Sequence, residues 1–323
     1  ALACLGAALV AGCASAPPGG AHADSPIRTP PASIAALARI RAEDPLEFVR
    51  DLPTTASYRA ALYAHRSAGL RVYALVATPH GPAPPGGFPV VVANHGYHPD
   101  PPRYGFGAAG RDARPGDYYR SVPDLYARRG YLVVMPDFRG HNASDGREYT
   151  NREYSPAWYA EDVVALLARL DRLPGADARR VFLWGHSMGG DVALRVAPAR
   201  PEVGAVSLWS TAGGDVWERA YLRSRRPPPA RDGPEVPKPA LESLQAELAA
   251  FGPRFDWRAR EPWVQLSRLR APVILHHARD DAVTPYEWSE RLAQALHLAR
   301  QSYEFHTYAG DAHLLDAADR ERA

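Results

Sequence analysis

The chain has 323 residues, 46% of them hydrophobic and 23% charged, with a formal net charge of +2. That balance fits a globular chain with a sizeable core, and it provides no field that would select nucleic acid or an acidic partner. Cysteine stands only at positions 4 and 13, which excludes both a disulfide framework and a cysteine nucleophile in the body of the chain.

Residues 1–10, ALACLGAALV, form an apolar run. It is too short to span a bilayer as a helix and has the length of a signal-peptide core. It leads into Val10-Ala11-Gly12-Cys13, which resembles the lipobox of bacterial lipoproteins. That resemblance implies cleavage before Cys13 and lipid on its sulfur. The chain would then be anchored in the bacterial cell envelope, at the periplasmic or outer-membrane face, and would meet the membrane only there. An ordinary cleavable signal peptide is the alternative. Residues 13–33, rich in Ala, Pro, Gly and Ser, read as a tether.

Beyond the tether, Ile34 to Val49 carries helical spacing. Tyr58 to Val76 reads as two strands about a turn at Ser67-Ala68-Gly69. FPVVVANHG (88–96) is an apolar strand, VPDLYARRG (122–130) a helix ended by Gly130, and YLVVMPDF (131–138) a second buried strand. A helix follows over 155–173, then the strand VFLWG (181–185) and a helix from Met188. The remaining elements are strands at 203–210, 271–278 and 302–310, with a helix at 285–299 between the last two. Continuous Val/Ile/Leu strands alternating with amphipathic helices predict an α/β domain over 34–323. Its sheet is mostly parallel, has helices on both faces, and binds ligands at the carboxyl ends of its strands. Residues 211–270 are too many for a plain crossover. A cap over those strand ends, about 213–262, is expected there, with a surface insertion as the alternative.

Gly185-His186-Ser187-Met188-Gly189 follows a strand and opens a helix. In that context G-x-S-x-G is a nucleophile elbow: glycines clear the strained turn, and the helix N-terminus sets N–H groups beside the hydroxyl of Ser187. Asp280 and Asp281 follow the strand VILHHA and offer an acid. His313, in the loop after the last strand, offers a base. His276, His277 and His306 lie in or at the ends of strands and read as structural, and His186 as a packing residue. The N–H of Met188 is one oxyanion donor. Asn94-His95-Gly96-Tyr97 resembles the His-Gly element that supplies the other, which points to the N–H of Tyr97. The histidines lack zinc spacing and no phosphate-binding loop is evident, so neither metal nor cofactor is called for.

Taken in order, NHGY, DFRGHNASDG, RRVFLWGHSMGGDVALRVA, HHARDDAVTPYEWSERL and YAGDAHLL resemble the α/β-hydrolase superfamily. The similarity is strongest to the catalytic domains of the prolyl-oligopeptidase-like (S9) serine peptidases and to related serine esterases. The resemblance implies a Ser187-Asp280-His313 triad, because that family uses the first Asp of an Asp-Asp-x-Val pair. It also implies acyl transfer through a serine ester. Two departures favour an ester substrate over a short peptide or aminoacyl amide: residues 34–87 are too few for the family's propeller, and Ala282 stands where prolyl peptidases often carry a substrate-binding Arg. The alternatives are an S9-like peptidase and a catalytically silent binding protein on the same fold.

Overall fold

A computed structural model of the chain describes residues 27–31, 33–42, 44–98, 100–101, 119, 121–225, 240–310 and 312–314. Cys13 and most of the tether lie outside the described residues. Nine strands form a sheet in the order β1-β2-β3-β5-β4-β6-β7-β8-β9. They are β1 (Glu47–Leu52), β2 (Tyr58–Ser67), β3 (Leu70–Pro79), β4 (Phe88–Asn94), β5 (Leu132–Asp137), β6 (Ala176–His186), β7 (Val203–Trp209), β8 (Val273–Ala278) and β9 (Tyr303–Tyr308). The first three pair antiparallel, and β3 meets β5 antiparallel. From β5 to β9 every neighbour is parallel.

The two-residue period of the strands sorts their side chains onto two faces. Val90, Val92, Leu132 and Val134 join one core, built with α1 (Ile34–Ala38), α3 (Ser155–Leu167), α4 (Met188–Val196) and α7 (Tyr286–Leu298). Val91, Ala93, Val133 and Met135 join the other, with α2 (Ser121–Ala127). Burial on both faces is why these strands read as unbroken apolar runs.

The helix expected over Ile34 to Val49 is corrected by the structure. Only Ile34–Ala38 is helical, and Glu47–Leu52 is an edge strand on β2. Pro45 lacks the N–H a continuing helix needs and disfavours helical backbone at Asp44.

In the long segment between β7 and β8, α5 (Val216–Ser224) and α6 (Ala240–Phe251) are helical. Val216, Ala220 and Leu244 pack with Tyr149, Tyr154, Ala157 and Trp158 in a third apolar cluster. Helices α5 and α6 therefore pack on the start of α3. Residues 226–239 lie outside the described residues.

Candidate active site

Strand β4 runs on to β5 on one side, while β6 lies on its other side. Such a reversal of strand order opens a crevice at the carboxyl ends. The loops that follow β4 and β6 meet there. Ser187, 9% exposed, has φ 54° and ψ −122°, between the end of β6 and the first turn of α4. A non-glycine residue in that region is strained and is held by its surroundings. Here the Ser187 N–H donates to the Trp209 carbonyl at 3.0 Å, and the Ser187 carbonyl accepts from Gly190 at 3.0 Å and Ala212 at 2.9 Å.

Glycines make the turn possible by close approach. A Cβ on Gly189 would lie 2.0 Å from the Asn94 carbonyl oxygen, and one on Gly185 would lie 2.5 Å from the Gly189 oxygen. Gly190, which the elbow motif does not include, faces Thr211 at 2.1 Å in the same sense. Bare backbone at these positions lets α4 press on the loop after β4, so Gly96 comes to rest against Ser187.

His313 lies in the loop after β9, and its Nδ1 is 2.8 Å from Asp281 Oδ2. The structure thus corrects the expected acid. Asp280 is exposed at the tip of the loop, and among the described residues only its backbone is engaged, donating to the Gly310 carbonyl. Asp281 is 7% exposed because its side chain folds back: Oδ1 accepts the N–H groups of Val283 at 2.7 Å and Thr284 at 3.0 Å. The Thr284 hydroxyl donates to Asp281 Oδ2 at 2.9 Å. The sequence signal for this choice is Asp281-x-x-Thr284, a carboxylate able to cap its own turn. Burial alone would raise the Asp281 pKa. Hydrogen bonds from His277 and His313, the His313 charge and the Thr284 N–H outweigh it and hold the carboxyl below its usual range. Asp281 is therefore a carboxylate that only accepts, and His313 Nδ1 is the donor.

His276 and His277 lie on β8 and His306 on β9. His277 is buried, donates from Nε2 to the Thr284 carbonyl at 3.0 Å and meets Ser289 through Nδ1 at 2.6 Å. His276 lies against Trp209 with centroids 4.4 Å apart, and His306 is bonded to Glu304 on β9. Met188 opens α4 at the elbow and Tyr97 follows Gly96 at the mouth, 49% exposed. The Gly96 N–H is already engaged by the hydroxyl of Tyr119 at 2.7 Å. Tyr119 went unnoticed in the sequence because no motif contains it.

A sequence model of the prolyl oligopeptidase family matches residues 117–323. The chain belongs to the prolyl oligopeptidase family. It is a serine hydrolase of the α/β-hydrolase type. The uncharacterized peptidase YtmA of Bacillus subtilis (strain 168) is 24% identical over 256 residues, 79% of this chain and 86% of that protein. Among solved structures, acetyl xylan esterase 1 of Thermoanaerobacterium sp. JW/SL YS485 superposes with a TM-score of 0.60 at 16% identity, covering 88% of both chains. The acylaminoacyl peptidase of Pyrococcus horikoshii superposes with a TM-score of 0.59 at 17% identity, over 80% of this chain but only 38% of that one. These likenesses carry the fold. The family's neighbours include both peptidases and esterases.

Proposed function

We propose that this chain hydrolyses carboxylic esters through an acyl-enzyme on Ser187, with His313 as general base and acid and Asp281 as its carboxylate partner. The observation that carries the reading is the pairing of buried Asp281, in the loop after β8, with His313, in the loop after β9, at 2.8 Å, beside the elbow that strains Ser187. His313 Nε2 takes the Ser187 proton as Oγ attacks the ester carbonyl. Oxyanion charge falls to the N–H groups of Met188 and Tyr97, since Gly96 is already engaged. His313 then returns the proton to the leaving alkoxide, and water repeats the cycle to release the acid. Among the described residues no hydrogen bond joins Ser187 Oγ to His313; that contact closes with substrate, as such contacts commonly do.

Two facts favour ester over amide. Ala282 offers no charge to hold a peptide, and the likeness to the acetyl xylan esterase spans nearly the whole of both chains. Peptidase action on short peptides or aminoacyl amides is the second reading, favoured by the family match. An amide needs its leaving nitrogen protonated in a fixed pose, whereas an ester tolerates looser placement. The test compares kcat/KM for an unactivated ester with that for aminoacyl and oligopeptide amides, with Ser187→Ala as the blank. Ester turnover should dominate, and efficient amide cleavage without it would promote the second reading. The segment holding α5 and α6 is proposed as a cap limiting substrate size, and Cys13 as the lipidated anchor. Cys13→Ala should move the protein from the membrane to the soluble fraction.

A further inference from the structure

His186 precedes the nucleophile, is 1% exposed, and has both ring nitrogens engaged. A buried imidazole needs partners for both nitrogens, which an apolar side chain beside Trp184 would not. Its partners come from two other loops. Nε2 lies 2.9 Å from the backbone carbonyl oxygen of His313. Nδ1 lies 2.6 Å from the hydroxyl of Tyr119, and that hydroxyl lies 2.7 Å from the Gly96 nitrogen.

The directions of these bonds follow from what each group can do. A carbonyl only accepts, so His186 Nε2 carries the hydrogen. In the neutral ring Nδ1 is then an acceptor, and the Tyr119 hydroxyl donates to it. The hydroxyl oxygen in turn accepts the Gly96 N–H. The chain therefore reads, without conflict, Gly96 N–H to Tyr119, Tyr119 to His186, and His186 to the His313 carbonyl. It ties the loop after β4, the elbow and the base-bearing loop to one another. His313 is gripped twice, through its carbonyl by His186 and through Nδ1 by Asp281, and the His186 and His313 rings lie 4.5 Å apart. A Cβ on Gly96 would meet the Tyr119 hydroxyl at 2.6 Å and His186 Nδ1 at 3.3 Å, so the relay also requires glycine there.

We propose that Tyr119 and His186 are positioning residues that set the catalytic histidine and the oxyanion loop in register with Ser187. This rests on the hydrolase reading above. Tyr119→Phe keeps the ring and removes only the hydroxyl. His186→Gln keeps an N–H where Nε2 donates to His313, and His186→Asn keeps a polar group only on the Tyr119 side. The variants are assayed for kcat and KM on one ester, with Tm measured beside them. Small displacements of reacting groups lower rates by up to about 100-fold. Accordingly Tyr119→Phe and His186→Asn should lose about 10- to 100-fold in kcat with KM nearly unchanged, and His186→Gln should recover part of the loss. Wild-type kcat in both Tyr119→Phe and His186→Asn would overturn the proposal, as would losses that merely follow Tm. Tyr119→Phe decides where the His186 variants do not fold. An active Ser187→Ala variant would instead remove the hydrolase reading itself, so the two failures are separable.

Discussion

Asp280 and Asp281 are chemically the same residue one step apart, and the loop separates them by burial and hydrogen bonding. Asp281 accepts from His313, Thr284 and Val283, whereas the Asp280 side chain faces solvent. Asp281→Asn should lower kcat by about 10⁴-fold, because an amide at that place no longer holds the imidazole with its hydrogen on Nδ1. Asp280→Asn should leave kcat within about twofold, as exposed substitutions away from the reacting groups do. Steady-state kinetics of the two variants on one ester checks the ranking, and the reverse order would return the acid to Asp280.

At the scale of elements, α6 is tied to α3 by a carboxylate placed where a helix start leaves N–H groups unpaired. Glu247 of α6 accepts the N–H of Glu153 at 3.1 Å and of Tyr154 at 3.3 Å. Burial pushes the Glu247 carboxyl up to about 7, with Arg152, the Tyr154 N–H and Arg223 opposing it. The folded chain therefore holds this proton more tightly than the unfolded one. Glu247 contributes most to stability below about 4.5, its ordinary value, and that contribution is lost as pH rises through about 7. Exchange of α6 amides should accelerate between pH 5.5 and 8, after correction for intrinsic rates, and Glu247→Gln should flatten that change. An equal change in both proteins would assign it elsewhere. A second tie, Arg139 to Asp162 at 2.6 Å and Glu161 at 2.9 Å, fixes the loop after β5 to the middle of α3. Losing one partner of such a buried pair strands the other charge, at a cost of about 3–5 kcal/mol.

For the whole molecule, the histidines outside the site set the acid limit. Burial depresses His65 and His141 to about 4 and His276 to about 3, the last with help from His306. The unfolded chain takes up these protons near 6.5 and the folded chain does not. Their contribution is thus intact above 6.5 and declines as pH falls toward the folded values. Glu247 acts in the opposite sense over part of that range, but three groups outweigh one. Unfolding by urea should show a net loss of roughly 3 kcal/mol between pH 7.5 and pH 5. Stability that is flat or rising toward pH 5 would contradict this account.

Much of this protein is written in local pattern. Apolar runs such as VVVA and LVVM, each followed by a helical period, specify a parallel sheet, because strands buried on both faces are built mainly of apolar side chains. The elbow is legible locally, since Gly185, Ser187 and Gly189 stand within a single turn, although Gly189 is also required by the approach of Asn94. The sequence likewise places Ser187 and His313 on loops at one end of the sheet, in the order the fold requires. Local pattern misled over Ile34–Val49, where helical spacing lost to Pro45 and to pairing with β2. Tertiary structure paired Asp281 with His313, a choice that Asp281-x-x-Thr284 only hints at, set Gly190 against Thr211, and brought Tyr119 onto His186 across 67 residues of chain. The reason is the same in each case. A motif records what a residue needs from its near neighbours, whereas a buried hydrogen bond or a close backbone approach depends on which distant group the packed sheet and loops bring within about 3 Å.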